Sequence, residues 1–216
     1  MSSEPRSLVS DPPSVQLAIK RLLDVLVCFL VLVVLLPLLV VIGLVVKLSS
    51  SGSVFFVQER IGMTGRPFRM LKFRTMTGAP SPNQTSWTEV EESRVTPIGR
   101  LLRAYGIDEL PQLVNIIRGE MSIIGPRPPL PPQVQSFSDF ERRMLRMRPG
   151  VTGLAAIQGR YSLSLGQRWK LNVEYVDRWS PKLDLRIMLR TIVIVLGRRD
   201  AAEPQTRPEG KPEGRT

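Results

Sequence analysis

"LLDVLVCFLVLVVLLPLLVVIGLVV", residues 22–46, is the stretch that decides the architecture. Its one charged residue is Asp24, near the start. About 20 consecutive apolar residues suffice for a helix to cross the hydrocarbon core of a bilayer. The run is too long for a signal-peptide apolar region, and Lys47 and serines follow where a small-residue cleavage site would stand. Lys20 and Arg21 precede it, Lys47 closes it, and Arg60, Arg66, Arg69, Lys72 and Arg74 come soon after. Positive residues mark the cytoplasmic flank of a membrane segment. Here they lie at both ends, which an ordinary span does not satisfy. Pro37, near the middle, removes one helical hydrogen bond and crowds the preceding turn. Two readings follow. One is a kinked but complete span, since membrane helices tolerate proline. The other is a helix that goes in, bends at Leu36-Pro37 and leaves on the same face. The charge symmetry favours the second, a re-entrant membrane helix over residues 14–48 broken at Pro37.

The rest of the composition narrows the chemistry. Net charge is +11, from 30 Lys+Arg against 19 Asp+Glu in 216 residues. Such a chain can meet nucleic acid, anionic lipid or phosphorylated small molecules. Aromatic residues are only 6% and no nucleic-acid motif is present, so no nucleic-acid partner is expected. The chain has no histidine. Acid–base or nucleophilic work therefore falls to carboxylates, lysines, hydroxyls, the one cysteine or a metal. Cys28 lies inside the apolar run and reads as a small hydrophobe. A single cysteine makes no intramolecular disulfide and no multi-cysteine metal site.

Beyond the membrane segment the sequence predicts a compact domain over residues 49–197, mostly α with a small β-hairpin (α+β). Residues 1–13 read as a flexible arm and residues 198–216, rich in Pro, Gly and charge, as a disordered tail. Residues 54–57 and 68–73 read as two strands, with Gly62 and Gly65 in the turn between them. Residues 77–93 form a polar loop. Thr96-Pro97 suits a helix start and Gly106 a helix end. Asp108 is expected to cap the next helix, with Pro111 in its first turn. Leu110, Leu113, Val114 and Ile117 give that helix one apolar face, and Gly119 stops it. Another helix, capped by Ser138, ends before Pro149. Residues 150–168 are Gly-spaced and irregular. Two helices close the chain, separated near Ser180-Pro181. The last, residues 183–196, carries Arg186 and Arg190 among large apolar residues. It either packs on the protein or lies as an amphipathic helix in the membrane interface.

The chemistry concentrates in "GIDELPQLVNIIRGEMSIIGPRPPLP", residues 106–131. Asp108 and Glu109 stand side by side, and Arg127 sits among prolines. By itself, an Asp before a helix is a cap and no more. Its surroundings add to that. A helix start favours bound phosphate, Arg103 lies one or two turns upstream, and prolines restrict the loop that carries Arg127, ready for a phosphate oxygen. Adjacent carboxylates beside a phosphate suit Mg²⁺, which takes a few carboxylate oxygens together with substrate phosphates. A carboxylate can also attack phosphorus, as in aspartyl-phosphate chemistry, a route attractive in a chain without histidine.

"KFRTM", "IDELPQLVNIIRGEMSIIGPRP" and "RPGVTGLAAIQGR" follow in that order after a basic-flanked apolar helix. In these motifs the chain resembles the small monotopic polyprenyl-phosphate phosphoglycosyl transferases, the bacterial sugar transferase family, over roughly residues 20–196. The resemblance implies transfer of a sugar-1-phosphate from a UDP-sugar to undecaprenyl phosphate, with release of UMP. That reaction would start exopolysaccharide, O-antigen or glycoprotein glycan assembly. It implies Asp108 as the attacking carboxylate of a phosphosugar–enzyme intermediate, with Glu109 sharing Mg²⁺ or assisting proton removal. It implies phosphate-binding roles for Arg103, Arg127 and Arg160, and places Lys72 and Arg74 near the active site, although Lys72 also reads as plain surface charge. It matches Arg21 to a residue that meets a lipid head group.

The same resemblance implies the bacterial cytoplasmic membrane, with the catalytic domain on the cytoplasmic face. The chain departs from the family pattern in two places. The usual Ser-Pro break is Leu36-Pro37, and Leu154, Ala156 and Gln158 replace a tryptophan, a glutamine and an asparagine near an expected substrate wall. The second departure keeps an alternative open, a membrane-anchored binding or scaffold homologue with impaired catalysis. The Gly-spaced segment and the last helices offer faces for a homodimer, and the sequence leaves the sugar open.

Overall fold

The structure, a computed structural model, describes residues 14–78, 94–159 and 163–197. The expected arm, most of the polar loop, Arg160 and the expected tail lie outside the described residues. The first helix, α1, runs over Ser14–Ser49. It leaves Leu30, Val34, Leu36, Val40 and Leu44 exposed, apolar almost all round, as expected of a helix whose solvent is lipid. Both halves of it, before and after Pro37, rest on the same domain. Cys28 joins a cluster with Phe68, Met70, Ile116 and Met121, and Leu39, Ile42 and Val46 pack with Phe73 and Leu102. The helix is continuous through Pro37, and Leu36 and Pro37 are exposed.

The expected hairpin is present. Strands β1 (Phe55–Ile61) and β2 (Pro67–Phe73) pair antiparallel, with Phe55 opposite Phe73 and Ile61 opposite Pro67. Helix α2 (Pro97–Ala104) starts where Thr96 Oγ1 accepts the Gly99 N–H at 2.9 Å. Gly99 is required there for space, because a Cβ would run into the Thr75 backbone. Gly106 (φ 67°) turns the chain out of α2.

The next segment differs from expectation. Ile107–Glu109 forms a 3₁₀ turn, and helix α3 begins only at Gln112 (Gln112–Arg118). Asp108 lies inside the turn and is not the cap of α3, whose preceding residue is Pro111 without a side-chain capping bond. Proline explains the shift. Its ring has no N–H to donate and clashes with the carbonyl four residues back, so the α ladder starts only after it. The chain ahead of it tightens into i→i+3 bonds, such as Leu110 N–H to Ile107 O at 3.2 Å.

Helix α3 stops at Gly119 (φ 89°), as the sequence predicts. A parallel pair absent from the sequence reading follows, β3 (Ser122–Ile124) with β4 (Gly150–Thr152). Between them lie α4 (Pro131–Gln135), α5 (Asp139–Arg142, capped by Ser138) and a 3₁₀ turn, Arg143–Arg146. Helix α6 (Leu154–Ile157) occupies part of the segment expected to be irregular. Helices α7 (Leu165–Asp177) and α8 (Pro181–Gly197) close the fold, divided where expected. Ile124, Met147, Leu154, Tyr175, Val176 and Ile187 form one core. Beside it the buried Tyr175 hydroxyl donates to Asp184 at 2.7 Å, and the Asp184 carboxylate also accepts from Lys20 at 2.7 Å. The start of α1 is thereby tied to the start of α8.

Candidate active site

The glutamate of the Asp-Glu pair faces the end of the hairpin. Glu109 accepts from Lys72 at 2.6 Å, with side chains only 12% and 16% exposed. An ion pair this sheltered is costly to break, about 3–5 kcal/mol when one partner is removed. Asn115 sets its geometry. Fully buried in α3, it donates to Arg69 O at 2.8 Å and accepts the Leu71 N–H at 3.0 Å. Both bonds go to β2, so strand and helix are locked at the level of Lys72 and Glu109. Asp108, one residue before Glu109, is buried.

Arg127 comes from the loop after β3. Pro126, Pro128 and Pro129 are buried while Arg127 between them is exposed. The loop is held from two sides. The Arg127 N–H donates to Asn172 Oδ1 at 3.3 Å. From β1, Ile61 N–H donates to Pro129 O and Arg60 Nη1 to Pro128 O, each at 3.0 Å. Among the described residues the Arg127 guanidinium has no hydrogen bond or ion pair. It lines a small pocket together with Arg60, Lys72, Glu109, Gln112 and Val151.

Arg60 is the residue that the sequence reading missed, counting it only among flanking charges. Burial, and then the neighbouring Arg127, push its pKa down to about 9, against the opposing pull of Glu109. A signal was available. Gln58 and Arg60 are two apart in a strand, so they share a face, and Gln58 Oε1 accepts from Arg60 Nη2 at 2.7 Å.

The other expected residues are placed as follows. Arg103 lies at the end of α2, with Nε donating to Thr75 Oγ1 at 2.7 Å. Arg74 is not among the pocket's lining. Its Nη2 donates to Val46 O at 3.1 Å and Ser50 O at 2.7 Å, closing the carboxyl end of α1, where a cation is favoured. Arg21, expected at a lipid head group, donates to Ile116 O at 2.6 Å and Ile117 O at 3.1 Å. It thus caps α3 from α1 and couples the membrane helix to the helix behind the Asp-Glu pair. Leu154 is a core residue, in one cluster with Tyr175 and Val176. Ala156 is half-buried and Gln158 exposed.

Among the described residues no three His, Cys, Asp or Glu side chains cluster as metal ligands. A cation here would rest on the Asp108-Glu109 pair plus a ligand's own oxygens, a donor set that suits Mg²⁺ and not a metal needing an all-protein cage.

Arg60, Lys72 and Arg127 around one carboxylate, Glu109, make a small basic pocket, on a domain that carries a helix long and apolar enough to cross a membrane. The comparisons with known proteins give the family. The family model described as bacterial sugar transferase matches residues 15–198, and the chain belongs to that family. It is 40% identical over 191 residues to the exopolysaccharide production protein ExoY of Sinorhizobium fredii (strain NBRC 101917 / NGR234), covering 82% of this chain and 84% of that protein. It is 42% identical over 152 residues to EpsL of Bacillus subtilis (strain 168), an uncharacterized sugar transferase, covering 70% and 74%. It is 39% identical over 186 residues to the UDP-glucose:undecaprenyl-phosphate glucose-1-phosphate transferase of Caulobacter vibrioides (strain ATCC 19089 / CIP 103742 / CB 15), covering 82% and 69%.

Proposed function

We propose that this chain is a phosphoglycosyl transferase that moves a sugar-1-phosphate from a UDP-sugar to undecaprenyl phosphate and releases UMP. The Caulobacter relative's name makes UDP-glucose the first donor to test. The observation that carries the reading is the buried Asp108 next to Glu109, in the same turn, beside a pocket whose cations include Arg127. In the first half-reaction an Asp108 carboxylate oxygen attacks the sugar-bearing phosphorus. The bond from that phosphorus to the bridging oxygen breaks, and UMP leaves with the oxygen. In the second, an oxygen of the lipid phosphate attacks the same phosphorus and frees the Asp108 carboxylate. Arg127 grips phosphate oxygens through both steps. Glu109, held in place by Lys72, either shares Mg²⁺ or assists removal of a proton from the lipid phosphate. Mg²⁺ held by Asp108 and Glu109 would screen the repulsion between carboxylate and phosphate.

The test is UMP release from a panel of UDP-sugars, with undecaprenyl phosphate and Mg²⁺ each added or withheld. The expected result is Mg²⁺-dependent UMP release that stops after a single turnover without undecaprenyl phosphate and continues over many turnovers with it. No UMP from any donor would favour the scaffold alternative.

We also propose that α1 is re-entrant and that the domain sits on the cytoplasmic face. Straight, its 36 residues would reach about 54 Å, well beyond a bilayer core of about 30 Å. Basic residues at both ends, and contacts of both halves of the helix with one domain, support a return to the same side. Helix α8 fits the membrane surface, with Leu185, Leu189, Ile192, Val193 and Leu196 exposed beside Lys182, Arg186 and Arg190. With Cys28 replaced by alanine, single cysteines at Ser2 and Thr216 should react with an impermeant reagent from the same, cytoplasmic side. Labelling from opposite sides means that the helix spans.

A further inference from the structure

We propose that Arg60 is a further substrate-binding residue, which with Arg127 forms a two-guanidinium cradle for a diphosphate. The ligand's identity rests on the transferase reading, whereas the anion site does not.

The first support is position. Arg60 stands near the end of β1, half-buried, and lines the same pocket as Arg127, Lys72 and Glu109. The second is how it is held. Nε and Nη2 both donate to Gln58 Oε1, at 3.1 and 2.7 Å, and Nη1 donates to Pro128 O at 3.0 Å. A guanidinium has five N–H groups, so these bonds leave one N–H on Nη1 and one on Nη2. Two donors on a fixed plane match two oxygens of a phosphate. The third is charge. Arg60, Lys72 and Arg127 line the pocket with Glu109 as the one carboxylate among its lining, and Glu109 is already paired with Lys72; Asp108 stands next in the chain. Arg127 works against the charge on Arg60. An anion lying between the two guanidiniums would offset that repulsion. A strut for Pro128 O would need one donor, and Ile61 N–H already fixes Pro129 next to it.

The experiment measures pyrophosphate binding to the full chain in detergent by calorimetry, with UMP release from UDP-sugars assayed in parallel. Arg60→Met and Arg127→Met should each weaken pyrophosphate at least tenfold. The double variant should lose less than the product of the two, because both groups grip one anion. Arg60→Lys, which keeps the charge and loses the fork, should fall between. It carries the test if the Met variant fails to fold by circular dichroism. Wild-type protein that does not bind pyrophosphate, unchanged binding in the Arg60 variants, or single losses that simply multiply would each overturn the cradle. The two readings fail separately. Pyrophosphate held through Arg60 without UMP from any donor sinks the transferase reading alone. UMP release with an unchanged KM for the UDP-sugar in Arg60→Met sinks the cradle alone.

Discussion

Asp108→Asn is expected to lower UMP release by about 10⁴-fold or more, the scale seen when a covalent nucleophile is removed. The change is nearly isosteric and leaves the turn's backbone bonds untouched, including Glu109 N–H to Gly106 O at 3.1 Å. A loss of this size would therefore not come from unfolding, and circular dichroism should be unchanged. The same variant should show no phosphosugar adduct by intact-protein mass spectrometry, under conditions where wild type incubated with UDP-sugar and no acceptor gains one. Glu109→Gln is the informative contrast. If Glu109 tunes the site through Lys72 and the metal, its variant should be slow yet still form the adduct. An adduct of undiminished yield in Asp108→Asn would remove Asp108 from the nucleophile role.

Much of this site can be read from the chain, and the parts that cannot share a cause. The hairpin, the stop at Gly106 and the stop at Gly119 each depend on a local rule, strand alternation or a left-handed glycine, and each is where the sequence puts it, save that the first strand runs four residues past the expected 54–57. The readings that moved depend on partners far away in sequence. The resemblance assigned Arg21 and Arg74 to lipid and substrate, and a bare arginine near a membrane segment gives no hint of the carbonyl it also meets. Their partners lie 95 and 28 residues away. Asn115 gives no sign of its role either, since one polar residue on an apolar face is not distinctive until β2 lies against it. The β3–β4 pair is three residues on each side, too short for periodicity to register. Arg60 is intermediate. It lies beyond the strand expected over residues 54–57, so the reading did not pair it with Gln58, and only the return of the proline loop gave that face something to hold.

That proline loop leads to the second large effect, on the fold itself. Gly125 and Gly150 lie where two backbone segments cross, with Gly150 N–H donating to Pro126 O and Gly125 N–H to Thr152 O, each at 2.9 Å. A Cβ on Gly150 would collide with the nitrogen and Cα of Gly125 and with Thr152 O, all backbone atoms. Side chains can rotate away from an added methyl, but a backbone crossing tied by its own hydrogen bonds cannot. Gly150→Ala is therefore expected to destabilise by about 3 kcal/mol or more, lowering the melting temperature by roughly 6–12 °C. It should also cost activity, because Gly150 lines the pocket and the crossing aims Arg127. Gly166→Ala is the control. Gly166 lies in α7 with no atom within 4 Å of an added Cβ, so the change should be neutral or stabilising by up to about 1 kcal/mol. Thermal unfolding of the two variants, followed with UMP release, separates the cases. If Gly150→Ala melts with wild type, the chain segments do not cross this closely. The rigid seat inferred for Arg127 would then rest on its three prolines and on the bonds from Ile61 and Arg60 and to Asn172.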